Sequence, residues 1–193
     1  RDRVNSETNF TTWKLLPNKA ATKFVTVAQY LSGGEGLLAV PHGAARLDDL
    51  QASLPTLKTN LMGVLQVTEG PGLARFRTAY DEGLSIDSPP NSDDTSIPAP
   101  EKAALTQIAQ ELDLAGQPAE TVSRKISTFL TDNFRYSTWL GQGGRSKSDI
   151  TPLTRFLLTN RVGHCEYFAT ATVMLLRQAG IPARYAVGYS VQE

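Results

Sequence analysis

The sequence predicts an α+β protein in which a small β-rich N-terminal domain precedes a helical one. Between residues 23 and 80, runs rich in branched and aromatic side chains alternate with glycine-containing turns, which is typical of strands. After residue 100, apolar residues recur at steps of three and four, the spacing of amphipathic helices. The stretch between these parts is rich in Pro, Ser and Asp and favours neither pattern. We therefore expect a β-rich domain at 1–84, a linker at 85–100 and a second domain at 101–193.

Four segments of the first domain predict strands. Residues 23–31 and 37–40 provide the first two, and residues 60–68 and 73–80 provide the others. The last two are joined by Glu69-Gly70-Pro71-Gly72, which predicts a hairpin. No group of residues in this domain suggests chemistry. The segment 85–100 has two interpretations, a boundary between domains or a strap lying across the second domain, and the sequence leaves both open.

The second domain opens with two predicted helices. Residues 101–114 have an apolar face and are ended by Gly116, and Pro118 opens a second helix with a similar stripe. We expect these helices to pack on each other. Thr151-Pro152 predicts the start of a short helix that reaches Leu158.

A further helix is predicted to begin beside Cys165, the only cysteine in the sequence. Gly163 interrupts the preceding segment, and apolar side chains then cover much of the helix, so we expect most of it to be buried. Gly180 and Pro182 provide the stop signal. The next residues alternate as in a strand, which should pack against this helix. The alternating residues are Tyr185, Val187, Tyr189 and Val191.

A thiol in the first turn of a helix has a specific electrostatic environment. The helix dipole favours the thiolate, which is the nucleophilic form of cysteine. The unpaired N–H groups of the same turn can donate to an oxyanion. Glu166 opposes thiolate formation, although a carboxylate here also complements the dipole. The alternative for Cys165 is a buried structural cysteine.

The run Gly163-His164-Cys165-Glu166-Tyr167-Phe168-Ala169, with Leu175-Leu176-Arg177, Gly180-Ile181-Pro182-Ala183-Arg184 and Val187-Gly188-Tyr189, resembles the core motif of the transglutaminase-like superfamily. Those proteins are papain-related and use a Cys-His-Asp triad. The resemblance covers residues 101–193 and implies the N-terminal, helical part of a papain-like core. It implies Cys165 as the nucleophile. The resemblance also implies that five candidate cleft residues lie near Cys165: Tyr136, Trp139, His164, Glu166 and Tyr167. For Tyr136 and Trp139 the alternative is that they are plain core aromatics.

The sequence departs from that family in one respect. The family's general-base His and orienting Asp lie on strands after the matched segment, whereas the histidines here are His42 and His164. A neighbour in the first helical turn points about 100° away, so His164 is poorly placed to take the proton of Cys165. His42 follows Pro41 in a predicted loop. We therefore expect a fragment of a longer protein, with an incomplete core, little or no turnover, and an unpaired sheet edge through which copies could associate.

Composition narrows the classes of function. The 193 residues contain 19 basic and 19 acidic side chains, so nothing indicates nucleic acid or a membrane surface as the partner. One cysteine excludes an intrachain disulfide, no run is long enough to span a bilayer, and no metal or cofactor is expected.

Two classes of function remain. The first is an acyl-transfer or hydrolytic enzyme that forms a Cys165 thioester with a protein or peptide substrate; protease, amidase and crosslinking activities share this chemistry. The second is a non-catalytic binding or assembly module. By analogy with bacterial proteins that carry the motif, we expect an extracytoplasmic domain of a membrane-anchored parent.

Overall fold

The computed structural model describes residues 2–3, 11–50, 57–139 and 150–189, and the chain divides into two compact units. The first comprises Arg1–Pro89 and Gly188–Glu193, and the second comprises Pro90–Val187. All described helices lie in the second unit, and none of them is long and apolar enough to cross a membrane. The predicted α+β class is confirmed.

The first unit contains two antiparallel sheets of four strands. Their orders are β1-β6-β7-β4 and β2-β5-β8-β3. Both sheets contribute to one apolar core, which includes Trp13, Leu47, Leu65 and Phe76. The strands are Asp2–Arg3 (β1), Trp13–Lys14 (β2), Lys23–Tyr30 (β3), Gly36–Leu37 (β4), Ala44–Asp48 (β5), Leu57–Thr59 (β6), Leu65–Val67 (β7) and Leu73–Tyr80 (β8).

The predicted hairpin before β8 is wrong. β7 and β8 belong to different sheets, and β8 pairs with β3 and β5 instead. The connection between them packs on the turn after β3, where Gly70 N–H donates to Gly34 O at 2.8 Å and Leu31 N–H donates to Gly72 O at 2.8 Å. These hydrogen bonds hold the connection between β7 in one sheet and β8 in the other. β5 was not predicted, because its Ala-Ala-Arg start has little strand propensity of its own.

The second unit is built around its last helix. The two helices that were predicted to pack on each other are Lys102–Glu111 (α1) and Ala119–Asn133 (α2). Each of them instead packs chiefly against Cys165–Gln178 (α4), which connects them. The predicted apolar stripe of α2 is buried as expected. The remaining elements are Arg135–Tyr136 (β9), Pro152–Arg155 (α3), a π-helical turn at Phe156–Asn160, Val162–Gly163 (β10), and 3-10 turns at Ser92–Thr95 and Ala99–Glu101.

Two expectations for the end of the chain differ from the structure. No strand forms within residues 181–189, because no strand of the described chain pairs with them. Val191 lies outside the described residues. α4 is also less buried than expected. Ala171, Val173 and Leu175 are fully buried, whereas Phe168 and Thr172 are only half-buried. Self-association through a sheet edge stays a prediction.

Candidate active site around Cys165

The segment that leads into α4 is held by a short parallel ladder. β10 pairs with β9, with Arg135 N–H donating to Arg161 O at 2.8 Å and Ser137 N–H donating to Gly163 O at 2.8 Å. Arg161 ends the π-helical turn in a left-handed conformation, with φ of 51°. These contacts fix the direction in which the chain enters the helix.

Gly163 is buried at a point where a side chain has no room. A Cβ there would lie 2.9 Å from Cε2 of Phe156 and 2.9 Å from Cβ of Tyr167. The Phe156 and Tyr167 rings themselves pack with centroids 5.3 Å apart. Glycine is therefore required by close packing, since its backbone angle is unremarkable. This packing places the next two residues at the start of α4.

Cys165 is the first residue of α4, and it is exposed. His164 is the N-cap in extended conformation, and its side chain makes no capping hydrogen bond. Its carbonyl accepts from the N–H groups of Tyr167 and Phe168, at 3.0 and 3.4 Å. By contrast, α3 is capped by the hydroxyl of Thr151, which accepts from Thr154 N–H at 3.1 Å. Because the N–H groups of Tyr167 and Phe168 are already engaged, the first-turn donors that α4 can offer to an anion at the thiol are the N–H groups of Cys165 and Glu166.

His164 and Glu166 lie on either side of the thiol in sequence but face each other. His164 Nδ1 is 3.8 Å from Glu166 Oε2, and the Glu166 side chain is 72% exposed. The imidazole also meets the Tyr167 ring edge-on, with centroids 5.1 Å apart. His42 lies in an exposed turn of the first unit. The contacts of His164 are thus with Glu166 and Tyr167.

A groove of about 820 Å³ adjoins this helix start. Tyr136 and Trp139 line it and are 60% and 80% exposed, so they are surface residues and the core alternative is wrong. Tyr167 forms part of the opposite wall, next to Val162. A second groove of about 450 Å³ runs between α2 and α4, where Tyr136 and Phe168 meet with ring centroids 6.3 Å apart. The structure therefore brings three of the five cleft candidates to one groove.

α4 ends in a fully hydrogen-bonded cap. Gly180 has φ of 79°, its N–H donates to Arg177 O at 2.9 Å, and Ile181 N–H donates to Leu176 O at 3.0 Å. This is the Schellman arrangement, which requires a left-handed residue and therefore favours glycine. The predicted stop signal is confirmed.

The chain after α4 is anchored by a buried ion pair that sequence reasoning missed. Arg184 Nε donates to Asp94 Oδ1 at 2.8 Å and its Nη2 donates to Oδ2 at 2.7 Å. Arg177 adds hydrogen bonds to Ala183 O and Ser96 O. The pKa of Asp94 is lowered to about 2 by the Arg184 hydrogen bonds and by the N–H of Asn91. Arg184 was visible as part of the motif, but nothing local indicates a partner 90 residues away.

Within the part of the chain that the structure describes, no three His, Cys, Asp or Glu side chains cluster as metal ligands would.

Comparisons with known proteins agree with this geometry. The family model of the Transglutaminase-like superfamily matches residues 106–193. The periplasmic domain of TgpA from Pseudomonas aeruginosa has a TM-score of 0.55 and 16% identity, over 94% of this chain and 60% of that chain. The same domain bound to ethylmercury has a TM-score of 0.50 and 18% identity, over 89% and 60%. The uncharacterized protein YebA from Bacillus subtilis (strain 168) is 45% identical over 47 residues, which are 24% of this chain and 6% of that protein.

This chain thus covers only part of the length of the proteins that it resembles. At these identities the solved structures show the shared fold, and the family model matches the region that contains Cys165. Residues 106–193 are thus similar to the Transglutaminase-like superfamily, and this chain shares the fold of the TgpA periplasmic domain.

Proposed function

We propose that Cys165 is the nucleophile of a transglutaminase-like protein that transfers or hydrolyses acyl groups of protein or peptide substrates. The observation that carries this proposal is an exposed thiol at the first residue of α4, whose N-terminus has no side-chain cap. The helix dipole there favours the thiolate, and the first-turn N–H groups are suited to an oxyanion. Exposure alone would suit any surface cysteine, so the uncapped helix start is the distinguishing feature.

Acyl transfer through the Cys165 thiol needs no cofactor and proceeds in two steps. The thiolate attacks the carbonyl carbon of a carboxamide or peptide bond, an S–C bond forms, and the π electrons of the carbonyl move to its oxygen. When the oxyanion collapses, the C–N bond breaks and the amine leaves with a proton. Water or a second amine then attacks the thioester, loses a proton, and releases the thiolate. Hydrolysis and crosslinking differ only in this last nucleophile.

Proton transfer is the step for which the Cys165 unit provides no evident group. Its one histidine is His164, whose imidazole faces Glu166 and Tyr167. We therefore propose, as the family resemblance implies, that a histidine oriented by an aspartate outside this unit completes the site in the parent protein. We expect the 193-residue chain by itself to have little or no turnover.

The contacts of His164 also favour a second candidate, a non-catalytic binding or assembly module that keeps the fold. In that case Cys165 would react no faster than an ordinary exposed thiol. The periplasmic location given for the TgpA domain supports the proposal of an extracytoplasmic location for this chain. A membrane-anchored parent stays an expectation from the family resemblance.

The reactivity of Cys165 tests the proposal. Because the chain has a single cysteine, iodoacetamide labelling followed by mass spectrometry reports on this thiol alone. We expect the native chain to be alkylated about two- to fivefold faster than the same chain in denaturing urea at pH 7, the factor that a helix dipole supplies. A native rate equal to or below the unfolded rate would contradict the proposal.

Acyl transfer itself is tested with an activated ester. We expect p-nitrophenyl acetate to leave an acetyl group on Cys165 of the native chain, detected by peptide mapping, together with release of p-nitrophenolate. Cys165→Ser is the control, and it should release no more nitrophenolate than buffer. Alkylation no faster than in the unfolded chain, together with no acetyl-Cys165, would favour the binding module.

A further inference from the structure

The groove beside β9, called here the β9 groove, is formed by three parts of the second unit. One wall is β9 with the residues after it, and another is α3 with the π-helical turn. The third is formed by Val162 and Tyr167, three residues before and two residues after Cys165. The groove is therefore lined by residues that precede and follow Cys165 in the chain.

The β9 groove exposes two large aromatic side chains. Tyr136 and Trp139 remain mostly exposed although both line it. The backbone of Trp139 is fixed by Ser137, whose hydroxyl accepts from Trp139 N–H at 3.1 Å and donates to Trp139 O at 2.8 Å. Aromatic side chains on an ordered backbone supply contact area at a low entropic cost, and they are enriched in binding surfaces.

The described lining of the β9 groove carries positive charge and no negative charge. The basic residue Arg135 lines it, and none of its described lining residues is acidic. Arg135 is exposed at the start of β9. The planar guanidinium group matches a carboxylate through two parallel hydrogen bonds, so the groove is complementary to an acidic ligand.

The strand in this wall suits an extended ligand. The ladder to β10 uses the N–H groups of Arg135 and Ser137. In a parallel pair, the N–H and C=O of the intervening residue, Tyr136, point to the opposite edge of the strand. A peptide in extended conformation can add to such an edge through main-chain hydrogen bonds, while its side chains reach neighbouring pockets.

We propose that the β9 groove binds an extended acidic segment of the peptide substrate, with a carboxylate on Arg135 and an apolar side chain against Trp139. The identity of the groove as a substrate site rests on the proposed role of Cys165. The preference for acidic peptides rests on the lining residues alone.

Tryptophan fluorescence tests the preference on the 193-residue chain. Trp13 is 1% exposed in the core of the first unit, so Trp139 provides the accessible signal. The probes are acetyl-Phe-Gln-Glu-Glu-amide and its neutral counterpart acetyl-Phe-Gln-Gln-Gln-amide, titrated with acrylamide quenching as the readout. We expect the acidic peptide to protect Trp139 saturably and to bind about tenfold more tightly than the neutral one, the effect of one charge-assisted contact.

Matched variants identify the contact. Arg135→Gln should bring the affinity for the acidic peptide close to that for the neutral one. Arg124→Gln removes the same charge from an exposed position of α2 that does not line the groove, and it should leave both affinities unchanged. The far-ultraviolet circular dichroism of both variants should match that of the parent chain. Equal binding of the two peptides, no saturable protection, or equal weakening by both variants would overturn the proposal.

The Cys165→Ser variant separates this inference from the proposed function. It should retain the preference for the acidic peptide, because the thiol does not line the groove. A reactive Cys165 without peptide preference would overturn the groove proposal alone. A preference that persists with an unreactive Cys165 would support acidic-peptide binding and contradict the proposed nucleophile.

Discussion

The ion pair of Asp94 and Arg184 joins two segments of the second unit that are distant in sequence. The Asp94 side chain is 2% exposed and both of its oxygens accept from the Arg184 guanidinium. A buried charge is tolerated only when it is paired and hydrogen-bonded in this way. Ala183 N–H also donates to Asp94 O at 2.9 Å. The pair therefore attaches the chain after α4 to the turn at Ser92–Thr95.

This pair predicts how the second unit responds to acid. The pKa of Asp94 is about 2 in the folded chain, below its ordinary value of 3.8. As the pH falls, the unfolded chain takes up this proton before the folded chain does, so folding stability is lost between about pH 5 and pH 2. We expect the urea midpoint of the helical signal to fall over that range, and to fall less in Asp94→Asn, which is already less stable near neutral pH.

Asp93→Asn is the matched control for Asp94→Asn, because Asp93 is the exposed neighbour in the same turn. It should keep the acid response of the parent chain. If the parent and Asp94→Asn lost stability in parallel down to pH 2, the ion pair would not be the source of the acid response.

At the scale of elements, the position of the first residue of α4, Cys165, depends on how the chain enters the helix. β10 approaches α4 beside the Phe156 ring, and the ladder to β9 fixes its path. The start of α4 has no side-chain cap, whereas its end is closed by the Gly180 motif. The N–H groups of Cys165 and Glu166 therefore lie at the end of α4 where a helix dipole favours an anion.

Gly163→Ala tests this entry. The added methyl group would meet Phe156 and Tyr167 at 2.9 Å, so the strand or the rings must shift. We expect a loss of about 1–3 kcal/mol in the free energy of unfolding, as for other overpacked sites, measured by urea titration of the signal at 222 nm. We also expect the native alkylation rate of Cys165 to change toward its unfolded rate.

The control is Gly72→Ala, the same chemical change at a position where an added Cβ meets no atom within 4 Å. It should alter neither the helical transition nor the alkylation rate. A Gly163→Ala variant that also kept both parental values would show that this close contact does not position the thiol.

At the scale of the whole molecule, the described residues form an apolar core in each of the two units. One is formed by the sheets of the first unit, and the other by α1, α2, α3 and α4 with the π-helical turn. Leu47 is fully buried in the first and Ile126 in the second. Each unit therefore has an interior of its own on which its stability depends.

Cavity-forming substitutions should act on the unit in which they are placed. We expect Ile126→Ala to cost about 2–5 kcal/mol in the transition followed at 222 nm, because the described helices lie in the second unit. Leu47→Ala should impose a similar cost on the transition followed by fluorescence of the buried Trp13. Each variant serves as the control for the other. Equal losses in both signals for either variant would show that the chain unfolds as one cooperative unit.

The sequence predicted those features that depend on local pattern. The periodicity of residues 119–133 and the Gly180-Pro182 stop signal were sufficient for α2 and for the end of α4. The start of α4 at Cys165 was predicted from Gly163 and the motif that follows it. Strand partners were not predicted correctly, because β7 and β8 are neighbours in sequence and yet hydrogen-bond to strands from other parts of the chain.

By itself, the sequence determined which residues form helices and where the thiol lies in its helix, because capping, periodicity and glycine preferences act over a few residues. The tertiary structure alone decided that Asp94 pairs with Arg184, that Gly163 must have no side chain, and that Arg135 and Trp139 share a groove beside Cys165. Those features join residues that are distant in sequence. Their partners are set by how sheets and helices pack, which no local pattern specifies.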